Sequence, residues 1–265
     1  MSHYSQIEFV KKIKQVFPEF FSGKKVLEVG SWDVNGSVRR FFTDCDYLGI
    51  DVAEGPGVDL VCEGQALDKP SNYFDVVISC ECFEHNPFWL ETFINMIRML
   101  KPQGLCIVSC ATTGRGEHGT RRKHQGSSLS AQDVSPDYYQ NLVPKDFTSR
   151  LQLERQLSGY FFHQNIYAKD LYFIGIKKSA TEDIAYLDRL LSLKTATRRI
   201  TKAKRSSPSG NEIIVNPSFG KKIITLAGWF CKCSMVKCLG EKNYHDLKYR
   251  YKTLMLRTKC RKITK

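Results

Sequence analysis

The chain has 265 residues, 42% hydrophobic and 12% aromatic, with a formal net charge of +13 at neutral pH. That apolar content excludes a fibrous or wholly disordered chain and is enough for one substantial core plus an extension. No stretch reaches the ~18 apolar residues of a membrane-spanning helix, and the first 17 residues read as an amphipathic helix with Ile7, Val10, Ile13 and Phe17 on one side, not as a signal peptide.

Val26-Leu27-Glu28-Val29-Gly30-Ser31 is a short apolar strand carrying an acidic residue and ending in a glycine that lets the backbone pass close to a ligand, with a helix expected to begin near Gly36. About 20 residues further on, Leu48-Gly49-Ile50-Asp51 is a second strand whose terminal carboxylate suits two ribose hydroxyls. Ser31-Trp32-Asp33-Val34-Asn35, between the two glycines, is too bulky and too acidic for a pyrophosphate cradle, so a nucleoside ligand without phosphate fits better. Residues 58–61 read as a third strand, and residues 73–79 as a fourth, an apolar run of the kind buried on both faces. Asn86-Pro87 predicts a helix start, Asn as N-cap and Pro at the first position, with Leu90, Phe93, Ile94, Ile97 and Leu100 on one face. Lys101-Pro102-Gln103-Gly104 ends it, and residues 105–109 form a fifth strand. Residues 112–136 read as a long loop over the active-site edge, 144–157 as a helix, and 160–167 with 171–177 as a hairpin about Ala168-Lys169-Asp170. The capping box Ser179-Ala180-Thr181-Glu182 opens a last helix with Ile184, Leu187, Leu190 and Leu191 on one face.

Over residues 24–178 this order of motifs resembles the class I S-adenosylmethionine methyltransferases, whose first motif is an acidic residue, one apolar residue and Gly, here Glu28-Val29-Gly30. The chain lacks the family's frequent further glycine near Trp32 or Asp33, and it has Gln103 where the family commonly has Gly. The resemblance implies a Rossmann-like α/β fold: a seven-stranded, mostly parallel sheet with helices on both faces and the last strand antiparallel. It also implies S-adenosylmethionine as cofactor. Glu28 and Gly30 would approach its methionine part, Ser31 and Gly36 the surrounding loop, Asp51 the ribose and Val52 the adenine. Gln65-Ala66 stands where the family usually has Asp before Ala, so the Gln65 amide oxygen would accept from the adenine amino group.

Ligands in open α/β sheets bind outside the carboxyl ends of the strands, which places the chemistry at Cys80-Glu81-Cys82-Phe83-Glu84-His85-Asn86-Pro87. Methyl transfer from a sulfonium needs an aligned acceptor and, for a hydroxyl, a base; His85 is the best available one. Glu81-x-x-Glu84-His85 is also similar to the cluster of small-RNA 2′-O-methyltransferases and ubiquinone-pathway O-methyltransferases that can bind Mg²⁺, with His118 or His124 to complete the set. The alternative is that Glu84 orients backbone and Glu81 is solvated. Asn86-Pro87-Phe88-Trp89 invites comparison with the Asn-Pro-Pro-aromatic motif of amino-group methyltransferases, but it does not directly follow the strand, which favours an oxygen acceptor. In the following loop, Arg115 and His118 are substrate candidates, and Arg115 with Arg121, Arg122 and Lys123 suits an anionic acceptor. By analogy with methyltransferases of bacterial surface-glycan pathways, the expected acceptor is a hydroxyl of a sugar, glycan or other small molecule. The competing readings are an RNA ribose 2′-O-methyltransferase and a cofactor-binding module that has lost transfer.

Residues 194–265 hold 19 of the 40 Lys and Arg but only 3 of the 27 acidic residues, so residues 1–193 are slightly acidic. This division predicts a methyltransferase domain over 1–193 and a basic, partly helical or disordered extension over 194–265. The extension suits peripheral contact with an anionic membrane face better than nucleic acid, which would leave a named binding motif. Cys231, Cys233 and Cys238 lack the C-x2-C spacing of a zinc site, while Cys45, Cys62, Cys80, Cys82, Cys106 and Cys110 lie in or beside predicted strands as reduced, apolar residues; a cytoplasmic location is expected.

Overall fold

The computed structural model describes residues 4–34, 36–123, 137–180 and 184–203. The elements in chain order are helix α1 (Tyr4–Val16), strands β1 (Lys25–Val29), β2 (Asp46–Asp51), β3 (Leu60–Val61) and β4 (Phe74–Cys80), helix α2 (Trp89–Met99), strand β5 (Leu100–Ala111), helices α3 (Pro144–Thr148) and α4 (Leu153–Gln156), strands β6 (Leu157–Asn165) and β7 (Asp170–Lys177), and helix α5 (Ile184–Ala203). The strands make one seven-stranded sheet in the order β3-β2-β1-β4-β5-β7-β6. β1 to β5 pair in parallel, whereas β7 runs antiparallel to both β5 and β6. The Rossmann-like architecture is therefore as expected. The order reverses at β1/β4, the switch point at which such sheets bind ligands.

Alternation along the strands divides the core in two. Leu27, Val29, Val77, Cys106, Val108 and Phe173 face α2, α3 and α4, where Phe93, Met96, Ile97 and Phe147 cover them. Val26, Val76, Ile78, Ile107 and Ile174 face the other way, toward Phe9, Val10 and Ile13 of α1 and Leu190 and Leu193 of α5. Arg189 ties the two helices on that side, donating to the Val16 carbonyl at the α1 C-terminus and pairing with Glu19 at 2.8 Å. A cation suits those orphan carbonyls.

Several expected elements differ. In place of a helix after Gly36 there is one 3-10 turn, Val38–Phe41, opened by Ser37 Oγ accepting from the Arg39 amide. Nine residues separate Gly36 from β2; a helix through them would advance only ~14 Å and leave no chain for the turn. Phe42 stacks on Phe21 instead, with ring centroids 4.6 Å apart. The third strand is only Leu60–Val61, both exposed at the sheet edge. Asn86 does not cap α2: its Oδ1 accepts from the Phe88 amide in a turn, and the helix begins at Trp89. On α2, Ile94 is exposed, and Trp89, Thr92 and Met96 complete the buried face. The expected helix over 144–157 is two short ones, because Phe147 and Leu153 are both fully buried and six residues on one helix lie ~240° apart. β5 takes in Lys101 to Gly104 as an irregularity between the pairs Phe74↔Leu100 and Val76↔Leu105, with Gln103 at φ 61° doing what a glycine would do more cheaply.

The first compact unit runs through Ser207, past the expected boundary at residue 193, since α5 is continuous there with Leu193 and Thr197 buried. The capping-box residues Thr181 and Glu182, His124, the remainder of the loop through residue 136, and the extension with Cys231, Cys233 and Cys238 lie outside the described residues. Cys45, Cys62, Cys80, Cys82, Cys106 and Cys110 are free thiols. Among the described residues, no helix is long and apolar enough to cross a membrane.

Candidate active site

At the C-terminal end of β1 the chain turns at Gly30, φ 80°, and a Cβ there would lie 2.5 Å from Cys82 Cβ. The Gly30 and Ser31 amides both donate to the Ile50 carbonyl, at 2.9 and 3.0 Å, which binds the turn to β2. Two further glycines let the next residues lie flat: a Cβ on Gly55 would enter the Trp32 ring, and one on Gly57 would meet the Ser31 carbonyl. Gly36 donates to Asp33 Oδ1 and so closes the loop. Asp51, buried at the end of β2, accepts from the Trp32 amide (3.1 Å) and the Val52 amide (2.8 Å). A carboxylate has about four acceptor sites, so this shared use leaves capacity for a diol.

Glu28 is buried, and its Oε2 accepts from the Tyr47 hydroxyl at 2.8 Å. Burial pushes its carboxyl up to about 7, against the opposing effects of the Tyr47 hydrogen bond and Arg39. Gln65 belongs to a directed chain: Asn86 Nδ2 donates to Thr92 Oγ1, Thr92 to Gln65 Oε1 at 3.1 Å, and Gln65 Nε2 to Glu63 Oε2 at 2.9 Å. Ala66 is exposed and donates its amide to the Glu63 carbonyl. Glu63 carries no motif and is marked in the sequence only as an acidic residue two positions before Gln65. Its carboxylate supplies at this loop the negative polarity that the Gln65 amide lacks.

Beyond β4 the backbone folds sharply. Glu81 is held at φ 54°, a left-handed conformation that costs a non-glycine residue ~1–2 kcal/mol. A 3-10 turn, Phe83–His85, follows, with the His85 amide donating to the Cys82 carbonyl. Among the described residues, Glu81 joins no cluster of metal-ligating groups, and it is shielded from solvent. It is buried, Oε1 accepts from Ser109, and Oε2 pairs with Arg115 at 3.3 Å. Arg115 is likewise turned inward, also pairing with Asp170 at 2.6 Å and donating to the Ala168 carbonyl. Arg121 and Arg122 pair with Asp137 and Glu117 at the surface. Such exposed pairs contribute only ~0–1 kcal/mol and exchange readily, so these two remain available to an anion as Arg115 does not.

Glu84, His85 and His118 do come together, with one ligand atom from each within 4.8 Å of the others. The His85 ring lies edge-on to His118 (centroids 4.9 Å) and to Tyr139 (5.5 Å), so Tyr139 joins a site in which sequence reasoning did not place it. Tyr139 follows a long loop and carries no motif, so nothing local marked it. Burial, followed by the nearby His118 and Arg115, lowers the His85 imidazole to about 3, which keeps it neutral and makes it a weak base. Burial and the Glu81 charge raise the Glu84 carboxyl, which therefore favours its protonated form.

A mostly parallel sheet with its switch point at β1/β4 and a close glycine turn after β1 are features of cofactor-binding Rossmann-like enzymes. The family model described as "Methyltransferase domain" matches residues 1–157. The chain belongs to that family and is a class I S-adenosylmethionine-dependent methyltransferase. No curated protein matches it. Among solved structures it is similar to the 1,6-didemethyltoxoflavin-N1-methyltransferase of Burkholderia thailandensis with bound 1,6-didemethyltoxoflavin and S-adenosylhomocysteine (15% identity, 64% of this chain and 78% of that one, TM-score 0.45). It is also similar to a protein of Bacillus halodurans C-125 assigned as a methyltransferase (10%, 65% and 99%, 0.44). A third is an assigned S-adenosylmethionine-dependent methyltransferase of Listeria monocytogenes (15%, 66% and 98%, 0.43).

The residues present fit this cofactor, since Gly30 leaves no Cβ in the turn and Asp51 keeps acceptor capacity. When bound, S-adenosylmethionine supplies an activated methyl group. Glu28, Gly30, Ser31, Gly36, Asp51, Val52, Glu63 and Gln65 are the residues of this chain that would hold it.

Proposed function

We propose that the enzyme methylates a hydroxyl of a sugar, glycan or other small polar molecule, with His85 accepting the hydroxyl proton. The observation that carries this reading is the placement of a neutral, buried imidazole one turn beyond Cys82, the residue packed against Gly30. A weakly basic imidazole suffices, because an alcohol oxygen becomes strongly acidic as its bond to the methyl carbon forms, and the proton leaves late. Tyr139 and His118 border the imidazole, where an acceptor would meet them. Arg121 and Arg122 favour an anionic acceptor such as a sugar phosphate. The reading as an RNA ribose methyltransferase rests on the Glu-x-x-Glu-His cluster and the basic extension, and the ion pair with Arg115 engages one carboxylate of that cluster.

The test is methyl-donor turnover on cell-envelope glycan fractions and on RNA, with the wild-type chain and His85→Asn. Turnover on glycan with a loss of about 10²–10⁴-fold in the variant is expected. Turnover on RNA alone would overturn the acceptor, and an unimpaired variant would overturn the role of His85. Binding of S-adenosylhomocysteine with no turnover on any fraction would favour a module that has lost transfer.

A further inference from the structure

Trp32 is the bulkiest side chain between Gly30 and Gly36. Its amide donates to Asp51 Oδ2 at 3.1 Å, so the residue is rooted on the carboxylate suited to a ribose diol. Its ring lies on Gly55. A Cβ there would be 2.4, 2.6 and 2.7 Å from Cε2, Cδ2 and Nε1, and such nearly equal distances to three ring atoms place the glycine over the face of the indole, not at its edge. The Gly55 backbone is outside the left-handed region, so the ring, and not the turn, is what requires a glycine there. The two loops are fastened beside the ring: the Asp33 amide donates to the Pro56 carbonyl at 2.7 Å, and Gly57, at φ 85°, lies against the Ser31 carbonyl. Trp32 is nevertheless only half-buried. Packing between the loops thus uses one face of the indole and leaves surface open beside Asp51.

We infer that the open face of Trp32 packs against the adenosine unit of the cofactor, and that Gly55 seats the indole at the depth this contact needs. In the sheet, β2 lies on the opposite side of β1 from β4, so Trp32 and Asp51 serve the nucleoside end of the cofactor, away from His85 and the acceptor. A flat aromatic ring suits the task, because a base or a sugar ring meets it over a large apolar area with no hydrogen bond to match. Gly55 acts through the ring, as a positioning residue. The inference rests on the cofactor assignment and is independent of which acceptor is methylated.

The experiment follows tryptophan emission and binding heat of the full chain during titration with S-adenosylhomocysteine. The chain has three tryptophans, of which Trp89 is buried in the core and Trp229 belongs to the extension. S-adenosylhomocysteine, and adenosine at millimolar concentration, should quench the emission, whereas methionine should not, and the quenching should vanish in Trp32→Phe. Trp32→Phe keeps a ring and should bind S-adenosylhomocysteine within about 3-fold of wild type, and Trp32→Ala at least about 5-fold more weakly, the low end for losing one base–aromatic stack. Gly55→Ala should weaken binding by a similar factor in the wild-type chain and by less than about 2-fold in Trp32→Ala, since its effect passes through the ring. Circular dichroism confirms that each variant folds. Quenching that persists in Trp32→Phe, quenching by methionine in place of adenosine, or undiminished binding by Trp32→Ala would overturn the inference, and equal losses from Gly55→Ala in both backgrounds would overturn the part given to Gly55. No heat with the wild-type chain would overturn the cofactor assignment and this inference with it; a wild-type heat that every variant leaves unchanged would overturn this inference alone.

Discussion

Glu28 is a buried carboxyl whose ionisation the fold opposes. Its carboxyl titrates at about 7 in the folded protein against 4.5 for an ordinary glutamate, because burial penalises the charge more than Tyr47 and Arg39 favour it. The folded state therefore holds this proton more tightly than the unfolded chain. The stability it contributes is fully present below pH ~4.5 and is lost as pH rises through about 7. Glu28→Gln keeps an acceptor for the Tyr47 hydroxyl and removes the titration. The variant should gain about 2–3 kcal/mol over wild type between pH 5 and pH 8. Thermal unfolding at the two pH values checks this, and parallel curves would contradict it. The same burial was invisible in Val26-Leu27-Glu28-Val29, where strand alternation placed Glu28 on a face but said nothing of what covered that face.

At the scale of elements, Arg115 joins three segments that sequence patterns treat separately: the turn after β4 through Glu81, its own loop after β5, and the β6–β7 turn through Ala168 and Asp170. Asp170 is fully buried and also accepts from the Tyr172 hydroxyl at 2.8 Å. Replacing Arg115 by Met leaves two buried carboxylates without their cation. The expected loss is about 3–5 kcal/mol, the range for breaking a buried pair from one side. Urea unfolding measures it, and a change under ~1 kcal/mol would mean that the pairs are solvated in solution. The strands themselves were legible, because periodicity and β-branched runs are local. The length of α2, the break between α3 and α4 and the 3-10 turn after Gly36 were not, since each depends on the distance the chain must cover and on which side chains the sheet can bury.

For the whole molecule, charge is the property that sequence alone partitions. The last 72 residues carry most of the net positive charge, and we propose that they bring the enzyme to an anionic membrane face. Each basic residue near such a surface contributes ~1 kcal/mol. The full chain should therefore pellet with vesicles containing about a third phosphatidylserine at low salt, and a chain ending at Ser207 should not; equal pelleting of both would dispose of the idea.

The succession of strands along the chain, the glycine turn after Glu28-Val29, Asp51 at the end of β2 and the sharp break in the chain after β4 were all legible in the sequence, because each is a pattern of neighbouring residues with a local physical cause. The partners of Glu81, Glu84 and Arg115 were decided only in three dimensions. In sequence, Glu81 and Glu84 are equivalent carboxylates three positions apart. The left-handed backbone at Glu81 sends one to Ser109 and Arg115, and the following 3-10 turn buries the other beside His85 and His118. Long-range packing, with its low dielectric and its demand that every buried charge find a partner, assigns the two their different roles.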